Sequence, residues 1–160
     1  MSTGRTQPRE SRRLDTVPYA TTLLVRDTCL CLHAQRAARI LARQFDEVLR
    51  PAKLSNGQFS LLMSLNRPEP AKMASVAGLL VMDRTTLTAA LKPLARRGLV
   101  RITVDANDRR VRRLELTKRG RAVLAVAVPL WAAAHEELEQ RLKPGEAERL
   151  RWALGSLGTE

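Results

Sequence analysis

The sequence contains few of the residues on which enzymes and disulfide-rich proteins depend. Among its 160 residues there are two cysteines and two histidines, and aromatic residues make up 3%. It has no glycine-rich phosphate loop, no Gly-x-Ser-x-Gly elbow and no pair of carboxylates placed to share a pocket. Two cysteines cannot form a disulfide framework, which indicates a reducing compartment. We therefore expect neither an enzyme nor a bound cofactor or metal.

Long apolar runs are also missing. The longest nearly apolar stretch is the 12 residues 123–134, and it includes Pro129. A membrane-spanning helix needs about 18 to 20 apolar residues. Residues 1–18 are polar, and no apolar run follows their arginines, so they do not form a secretory signal. The sequence thus predicts a soluble, cytoplasmic protein with no membrane partner.

Basic residues dominate the charge. Lys and Arg number 28 against 16 Asp and Glu, which gives a formal net charge of +12 and a pI near 11.2. Residues 83–121 contain twelve Lys and Arg against four Asp and Glu, whereas residues 122–160 contain four against six. A concentrated excess is typical of a docking surface for a polyanion, and nucleic acid is the leading candidate.

The N-terminal part is predicted to be an arm followed by a helix. Residues 1–18 carry four arginines among Ser, Thr, Gln and Pro, and we interpret them as a flexible basic arm. Apolar residues at a spacing of three and four then predict one long helix from Thr22 to Arg50. On that helix Cys29 and Cys31 would diverge by about 200°, so we expect no bond between them.

The middle of the chain predicts a helix-turn-helix. Ser55 and Gln58 form a capping box for a helix that runs to about residue 65. A short helix over 71–81 follows, and Asp83 is the predicted N-cap of a helix over 84–97, closed by glycine at position 98. Alternating apolar residues on both sides of the turn 106–109 then predict a two-stranded hairpin.

Two helices are predicted at the C-terminal end, over 118–142 and 146–157. Thr117 caps the first, and Pro129 should kink it. Together with the helix over 22–50 they carry apolar stripes larger than a compact winged helix can cover. These helices need a partner surface, which predicts a homodimer.

The helix over 84–97 has an apolar stripe, formed by Leu87, Leu91 and Leu94, and an opposite face that lacks carboxylates. That face consists of Arg84, Thr85, Thr88, Ala89, Lys92 and Arg96. Arg and Thr can hydrogen-bond base edges, while Lys92 and Arg96 suit phosphates. A polar face can also be merely solvated. The missing carboxylates and the basic hairpin that follows favour DNA contact.

The hairpin tip, residues 105–113, contains two acids, one asparagine and four arginines. It is not a calcium loop, because Arg110 and Leu116 stand where an EF-hand needs Gly and Glu. It could be an ordinary surface turn with Asp108 bonding local backbone. It could instead be a wing whose arginine enters the minor groove, with Asp108 holding the arginine's orientation.

These elements, with the run from Arg109 to Gly120 and long helices at both ends, resemble the MarR family of bacterial winged-helix transcription regulators. The resemblance implies a mostly α-helical winged helix-turn-helix with a small β-hairpin wing, whose N- and C-terminal helices form a dimerisation region. The implied parts are an arm over 1–18, a dimerisation helix over 19–54, a DNA-binding region over 55–117 and dimerisation helices over 118–160.

The resemblance also implies the contacts with double-stranded DNA. Lys72 and Ser75 on the preceding helix would meet phosphate, and the recognition helix would begin at Arg84-Thr85-Thr86, with Thr88 beside them. Pro93 lacks an N–H and should bend or loosen the second half of this helix. The wing would contribute Arg109, Arg110 and Arg112. Two-fold symmetry predicts an inverted-repeat operator.

The resemblance also implies an effector that controls DNA binding. The resemblance suggests release of DNA by a small molecule, commonly an aromatic or phenolic acid, or by oxidation of a cysteine. The candidates are Cys31, His33, Trp131 and His135, although each is also an ordinary packing residue of a helix. Cys29, Cys31 and His33 also leave metal capture open, but two or three ligands are only a fragment of a site.

We interpret the protein as a DNA-binding regulator, most simply a repressor released from its operator by a small effector. Two alternatives remain. The first is a cysteine-based redox-responsive or metal-responsive repressor of the same fold. The second is an architectural nucleic-acid-binding protein without an effector, which would show steep salt dependence and little sequence preference.

Overall fold

The computed structural model describes residues 16–158; most of the expected arm over 1–18 lies outside the described residues. The elements follow in the order α1 (Tyr19–Thr28), α2 (Leu30–Val48), a 3₁₀ turn (Arg50–Ala52), α3 (Asn56–Ser64), β1 (Ala71–Lys72), α4 (Met73–Leu79), α5 (Arg84–Arg96), β2 (Val100–Val104), β3 (Arg112–Leu116), α6 (Lys118–Glu139) and α7 (Glu146–Ser156). This confirms the expected mostly α-helical winged helix-turn-helix class. The chain divides into two compact units after Ala38.

The expected single helix from Thr22 to Arg50 is wrong, because the chain breaks at Cys29. This residue has extended backbone angles (φ −73°, ψ 105°). Its N–H donates to the Val25 carbonyl at 3.0 Å, and its own carbonyl accepts from His33 N at 3.1 Å. Its Sγ accepts from Leu32 N at 3.5 Å. Cys29 thus ends one helix and begins the next, and the adjacent Thr28 is a poor helix former.

The capping box that starts α3 is confirmed. The Gln58 N–H donates to Ser55 Oγ, and the Ser55 N–H donates to Gln58 Oε1, each at 3.2 Å. These bonds satisfy two of the donors that a helix N-terminus leaves without partners.

The sheet has three strands rather than the expected two. Its order is β1-β3-β2, and both pairings are antiparallel. Ala71 pairs with Leu114 and Lys72 with Arg113. The helix expected over 71–81 therefore begins only at Met73 and ends at Leu79. A two-residue strand has no periodicity of its own, so only its pairing with β3 reveals it.

The turn between α4 and α5 closes with Val81 in the left-handed region, at φ 51°. Met82 N donates to the Ala77 carbonyl and Val81 N to the Gly78 carbonyl, which is a Schellman motif with valine where glycine is usual. A β-branched residue is strained there. At the end of α5 the same motif has Gly98 at φ 67°, as expected.

The core of the second unit consists mainly of leucines from α3, α5, the sheet and α6. The largest fully buried side chains are Leu49, Leu61, Leu62, Leu65, Val76, Leu87, Leu91, Leu94, Leu99, Leu114 and Leu116. Thr117 caps α6 as expected, since its Oγ1 accepts from Gly120 N at 3.0 Å. The helix α6 continues through Pro129. Within residues 16–158, no helix is both long and apolar enough to span a bilayer.

Candidate nucleic-acid interface

The predicted stripe on α5 faces the core. Leu87, Leu91 and Leu94 are at most 1% exposed, so the opposite face, from Arg84 to Arg96, is presented to solvent. Asp83 caps the helix, and its carboxylate accepts from Thr86 N at 2.8 Å and from Thr86 Oγ1 at 2.6 Å. The Thr86 hydroxyl, followed by its N–H, lowers the pKa of Asp83. The cap therefore stays ionised near neutral pH.

Two of the expected threonine contacts have their donors occupied. Thr86 Oγ1 donates to Asp83, and Thr88 Oγ1 donates to the Arg84 carbonyl at 2.7 Å. A hydroxyl that donates within the protein keeps lone pairs with which it can accept from a base amino group. In this geometry the hydroxyls of Thr86 and Thr88 retain only lone pairs for a further hydrogen bond.

The second half of α5 is formed, contrary to the loosening that we expected from Pro93. The helix runs from Arg84 to Arg96, and the Arg97 N–H donates to the Pro93 carbonyl at 3.1 Å. Proline removes the donor for the Ala89 carbonyl only. Ala89 is exposed, so water can satisfy that carbonyl, and Lys92 stays on the same continuous face.

The wing is held by an aspartate that the sequence did not single out. Asp105 Oδ1 accepts from the N–H groups of Asn107, at 2.9 Å, and Asp108, at 3.2 Å, and its Oδ2 accepts from Arg113 Nε. The Asn107 N–H, followed by the Arg113 guanidinium, lowers the pKa of Asp105. The sequence did contain a signal for this role, because an Asp commonly accepts from the backbone N–H of the turn residue two positions after it.

Asp108 bonds local backbone, which is the first of the two possibilities expected from the sequence. Its Oδ1 accepts from the backbone N–H of Arg110 at 2.9 Å, and among residues 16–158 no hydrogen bond or ion pair joins it to an arginine side chain. Asp108 therefore shapes the turn in which Arg110 lies, whereas Asp105 ties the turn to β3.

Arg113 joins the wing to the helix-turn-helix. Besides Asp105, it contacts the Pro70 carbonyl, to which its Nη1 donates at 3.2 Å. The Asp105 side chain is 9% exposed and that of Arg113 is 32% exposed. This half-buried pair links the wing to the segment that enters β1. It was not expected, because its three partners are far apart in the sequence.

Four of the ten expected DNA contacts meet in one concavity of about 350 Å³, which we call the wing pocket. Lys72 belongs to β1 and not, as expected, to a helix. Arg84 begins α5, and Arg110 and Arg112 belong to the wing. The pocket is lined by Lys72, Met73, Ala74, Ala77, Arg84, Arg110, Val111 and Arg112. It contains no carboxylate.

The remaining expected contacts lie around this pocket. Ser75 lines a neighbouring shallow concavity together with Lys72 and Arg113. Thr85, Thr86, Thr88 and Lys92 are exposed on α5, and Arg109 is exposed at the wing tip. The exposed cations among the expected contacts thus come from β1, α5 and the wing.

Two of the sensor candidates belong to the first unit. The exposed Cys31 has a Gln35 Nε2 donor 3.2 Å from its Sγ, and the His33 ring Nε2 lies 3.3 Å from the Asp27 carbonyl. The His33 contact spans the break at Cys29, and the Cys31 contact follows it. In the described part of the chain, no group of three or more His, Cys, Asp or Glu side chains is arranged to hold a metal ion.

The other two sensor candidates form an aromatic cluster in the second unit. Trp131 stacks on Phe59 with ring centroids 6.0 Å apart, and its ring lies 4.8 Å from that of His135. His135 Nδ1 is 3.6 Å from Glu139 Oε1, which also pairs with Arg151 of α7. Phe59 belongs to the core and Trp131 packs against it, so the rings join α3 to α6, and the Glu139 ion pair extends the contact to α7.

Comparisons with known proteins agree with this geometry. The profile of the MarR family matches residues 54–111. The transcriptional regulator HosA of Escherichia coli is 32% identical over 95 residues, which cover 59% of this chain and 70% of HosA. The M. tuberculosis transcriptional regulator MosR, crystallised with DNA, is 39% identical with a TM-score of 0.74, over 81% of this chain and 93% of MosR.

A further solved structure is the transcriptional repressor CouR bound to a 23-mer DNA duplex. It is 30% identical with a TM-score of 0.76, over 84% of this chain and 96% of CouR. CouR from Rhodococcus jostii has also been crystallised with p-coumaroyl-CoA.

Proposed function

Because the chain belongs to the MarR family of DNA-binding transcription regulators, we propose that it binds an inverted-repeat operator as a homodimer and is released by a small effector. One observation carries the DNA-binding part of this proposal. Lys72, Arg84 and two wing arginines, all exposed, converge on the wing pocket beside the open face of α5. A surface of this charge and shape suits a duplex backbone.

The proposed contacts divide into phosphate, base and minor-groove groups. Lys72, Ser75 and Lys92 contact phosphates. At the first turn of α5, Arg84 and Thr85 donate to base edges in the major groove, and Thr86 and Thr88 accept. The wing presents Arg109, Arg110 and Arg112 to the minor groove, where the negative potential attracts arginine.

Dimerisation is proposed through the segments 19–54 and 118–160. In the first unit Leu24, Val25 and Leu30 are at least 50% exposed, and in the second Val126, Leu150 and Leu154 are at least 51% exposed. Apolar side chains clustered on the helices of a monomer indicate a surface that a partner covers. A second copy is the proposed partner, and sedimentation equilibrium of the full chain tests it.

The DNA-binding proposal is tested with matched arginine variants on any duplex that the protein selects. Arg110→Ala should weaken binding about tenfold and lower the salt slope of binding by about one, because one phosphate or groove contact is lost. Arg149→Ala, on the exposed surface of α7, is the control and should leave both values unchanged. Equal affinity of wild type and Arg110→Ala would refute the wing assignment.

The proposed effector is a small aromatic or phenolic molecule that acts near Trp131 and His135. The support is the aromatic cluster itself, whose rings come from α3 and α6, and the p-coumaroyl-CoA ligand of CouR. An effector need only favour a dimer geometry in which the two recognition helices do not fit two successive grooves of the duplex. His135→Ala should reduce the potency of such an effector while leaving DNA affinity in its absence unchanged.

A second candidate is oxidation of the cysteine pair. The break at Cys29 favours it, because the objection that Cys29 and Cys31 diverge on one helix no longer holds. A hydroperoxide would take two electrons and two protons from the two thiols, forming a disulfide, an alcohol and water. Cys31→Ser should then abolish release of DNA by hydroperoxide. If the variant is still released by hydroperoxide, this candidate is wrong.

A further inference from the structure

The proton of the Thr86 hydroxyl is held by a side chain. Asp83, the N-cap of α5, accepts the Thr86 N–H on Oδ1 at 2.8 Å and the Thr86 hydroxyl on Oδ2 at 2.6 Å. The hydroxyl bond, followed by the N–H bond, lowers the pKa of Asp83, so near neutral pH the carboxylate has no proton to donate. The hydroxyl proton therefore points at Asp83, and the lone pairs of Thr86 Oγ1 remain for an outside donor.

Thr88 has the same polarity for a different reason. Its hydroxyl donates to the Arg84 carbonyl at 2.7 Å, one helical turn earlier. This acceptor belongs to the backbone, so it stays when a side chain is replaced. Both threonines are exposed on α5, which begins at Arg84 beside the wing pocket. The first turns of α5 thus present two hydroxyls that can accept but cannot donate.

The polarity of such a hydroxyl matters in the major groove. Each base pair carries one amino donor, on adenine N6 or cytosine N4, and one keto acceptor, on thymine O4 or guanine O6, and the two lie on opposite strands. An oxygen whose proton is already used can bond the amino group, but it meets a lone pair at the keto oxygen. The polarity therefore decides which base of a pair the hydroxyl recognises.

We propose that Asp83 is a positioning residue for base recognition: it holds the Thr86 hydroxyl as an acceptor, which makes Thr86 select the amino group of an adenine or cytosine. The inference rests on the proposed function, because it requires α5 to lie in the major groove. Asp83 acts through Thr86 and needs no contact of its own with DNA. Thr88 selects a second amino group by the same chemistry, without the help of Asp83.

Replacement of Asp83 by asparagine tests this role. Asparagine is as good an N-cap as aspartate, so α5 should begin at the same residue. Its Nδ2 group, however, donates where the carboxylate oxygen accepted. In Asp83→Asn the Thr86 oxygen accepts from Nδ2 and its proton turns outward, so that the hydroxyl can bond a keto oxygen as well as an amino group. Asp83→Asn should therefore relax the selection and leave the fold intact, as thermal unfolding can verify.

The base pair that Thr86 reads is located first. The full chain selects duplexes from a random pool, and each pair of the selected half-site is then changed in turn. Kd values are measured by fluorescence anisotropy at one salt concentration. The pair whose preference is lost in Thr86→Val, which keeps the shape of threonine without its hydroxyl, is the pair that Thr86 reads. Thr88→Val locates the second pair in the same way.

Single groups of the located pair are then deleted. Purine in place of adenine, or pyrimidin-2-one in place of cytosine, removes the amino group. The matching replacements 5-methylpyrimidin-2-one for thymine and 2-aminopurine for guanine remove the keto oxygen. Comparison with Thr86→Val on the same duplexes cancels the effect of each deletion on base pairing. Ratios of Kd within one protein also cancel the charge lost in Asp83→Asn, which changes the affinity of every duplex alike.

Deletion of the amino group should weaken wild-type binding at least about fivefold more than it weakens Thr86→Val. Deletion of the keto oxygen should affect the two proteins equally. In Asp83→Asn the excess loss on amino deletion should fall to about twofold or less, because the outward proton can bond other acceptors. At the pair read by Thr88, Asp83→Asn should keep the full wild-type loss, which makes this pair the control within the same protein.

Three results would overturn the inference: no pair that changes its preference in Thr86→Val, a wild-type loss on keto deletion instead of amino deletion, or an undiminished loss on amino deletion in Asp83→Asn. The first two are measured without the Asp83 variant and so do not depend on its folding. A wild type that selects a duplex but gives one of these results defeats only this inference. A wild type that selects no duplex defeats the proposed function as well.

Discussion

Replacement of Gly120 by alanine tests how the wing is joined to α6. A Cβ at this position would lie 2.2 Å from the Leu99 carbonyl oxygen and 3.2 Å from Leu116 Cδ2. Because the first contact is with backbone, no side-chain rotation relieves it, and the start of α6 must move by about 1 Å from β2. Two hydrogen bonds of Thr117 cross this junction, from its N–H to the Leu99 carbonyl and from its Oγ1 to the Gly98 carbonyl.

The expected cost follows from these contacts. Overpacking costs about 1 to 3 kcal/mol, and two weakened hydrogen bonds cost about 1 to 3 kcal/mol more. The better helix propensity of alanine offsets about 1 kcal/mol. We expect Gly120→Ala to lower the free energy of unfolding by about 1 to 5 kcal/mol, and the Tm by about 2 to 20 °C.

Thermal and urea unfolding followed by circular dichroism, at one fixed protein concentration, would measure this change. Gly57→Ala is the matched control, because Gly57 lies in α3 with no atom within 4 Å of an added Cβ. It should leave stability unchanged or raise it by up to about 1 kcal/mol. If Gly120→Ala is as stable as the wild type, the close approach of α6 to Leu99 is not what holds this junction.

Two further predictions concern the turns of the DNA-binding region. Val81→Gly should raise the free energy of unfolding by about 1 kcal/mol, because relief of the left-handed strain exceeds the entropy that glycine loses; urea unfolding that shows a loss would contradict this. The pKa of Asp105 is lowered in the folded protein, so its stabilising contribution is present above its ordinary pKa and is lost as pH falls through the folded value. The protection factors of the amides of residues 107 and 108, which compare their exchange with the intrinsic rate at the same pH, should therefore fall below about pH 4 in the wild type, and Asp105→Asn should remove this pH dependence. Equal profiles for the two proteins would show that Asp105 does not hold the wing.

Local signals in the sequence predicted the elements that depend on near neighbours. The capping box at Ser55, the caps at Asp83 and Thr117, and the glycine that ends α5 each involve residues within a few positions. The stripe through Leu87 was equally clear, because burial of one helix face sets its period. These signals were sufficient for the fold class and for the exposed face of α5.

The features that were missed depend on partners distant in the sequence or on weak local preferences. The strand β1 exists only through its pairing with β3, and the Arg113 contact joins Asp105 to the Pro70 carbonyl, 43 residues before Arg113. The break at Cys29 interrupts an otherwise regular helical pattern, so periodicity could not locate it. The wing pocket likewise needs β1, α4, the start of α5 and the wing in place.

Selection of duplexes from a random pool by the purified full chain tests the central claim most directly. The account predicts an inverted repeat with half-site centres about 10 to 10.5 base pairs apart. The selected duplex should bind about 10³ times more tightly than its shuffled version at the same salt concentration. A pool without enrichment, or a selected duplex that binds no better than its shuffled version, would contradict the account.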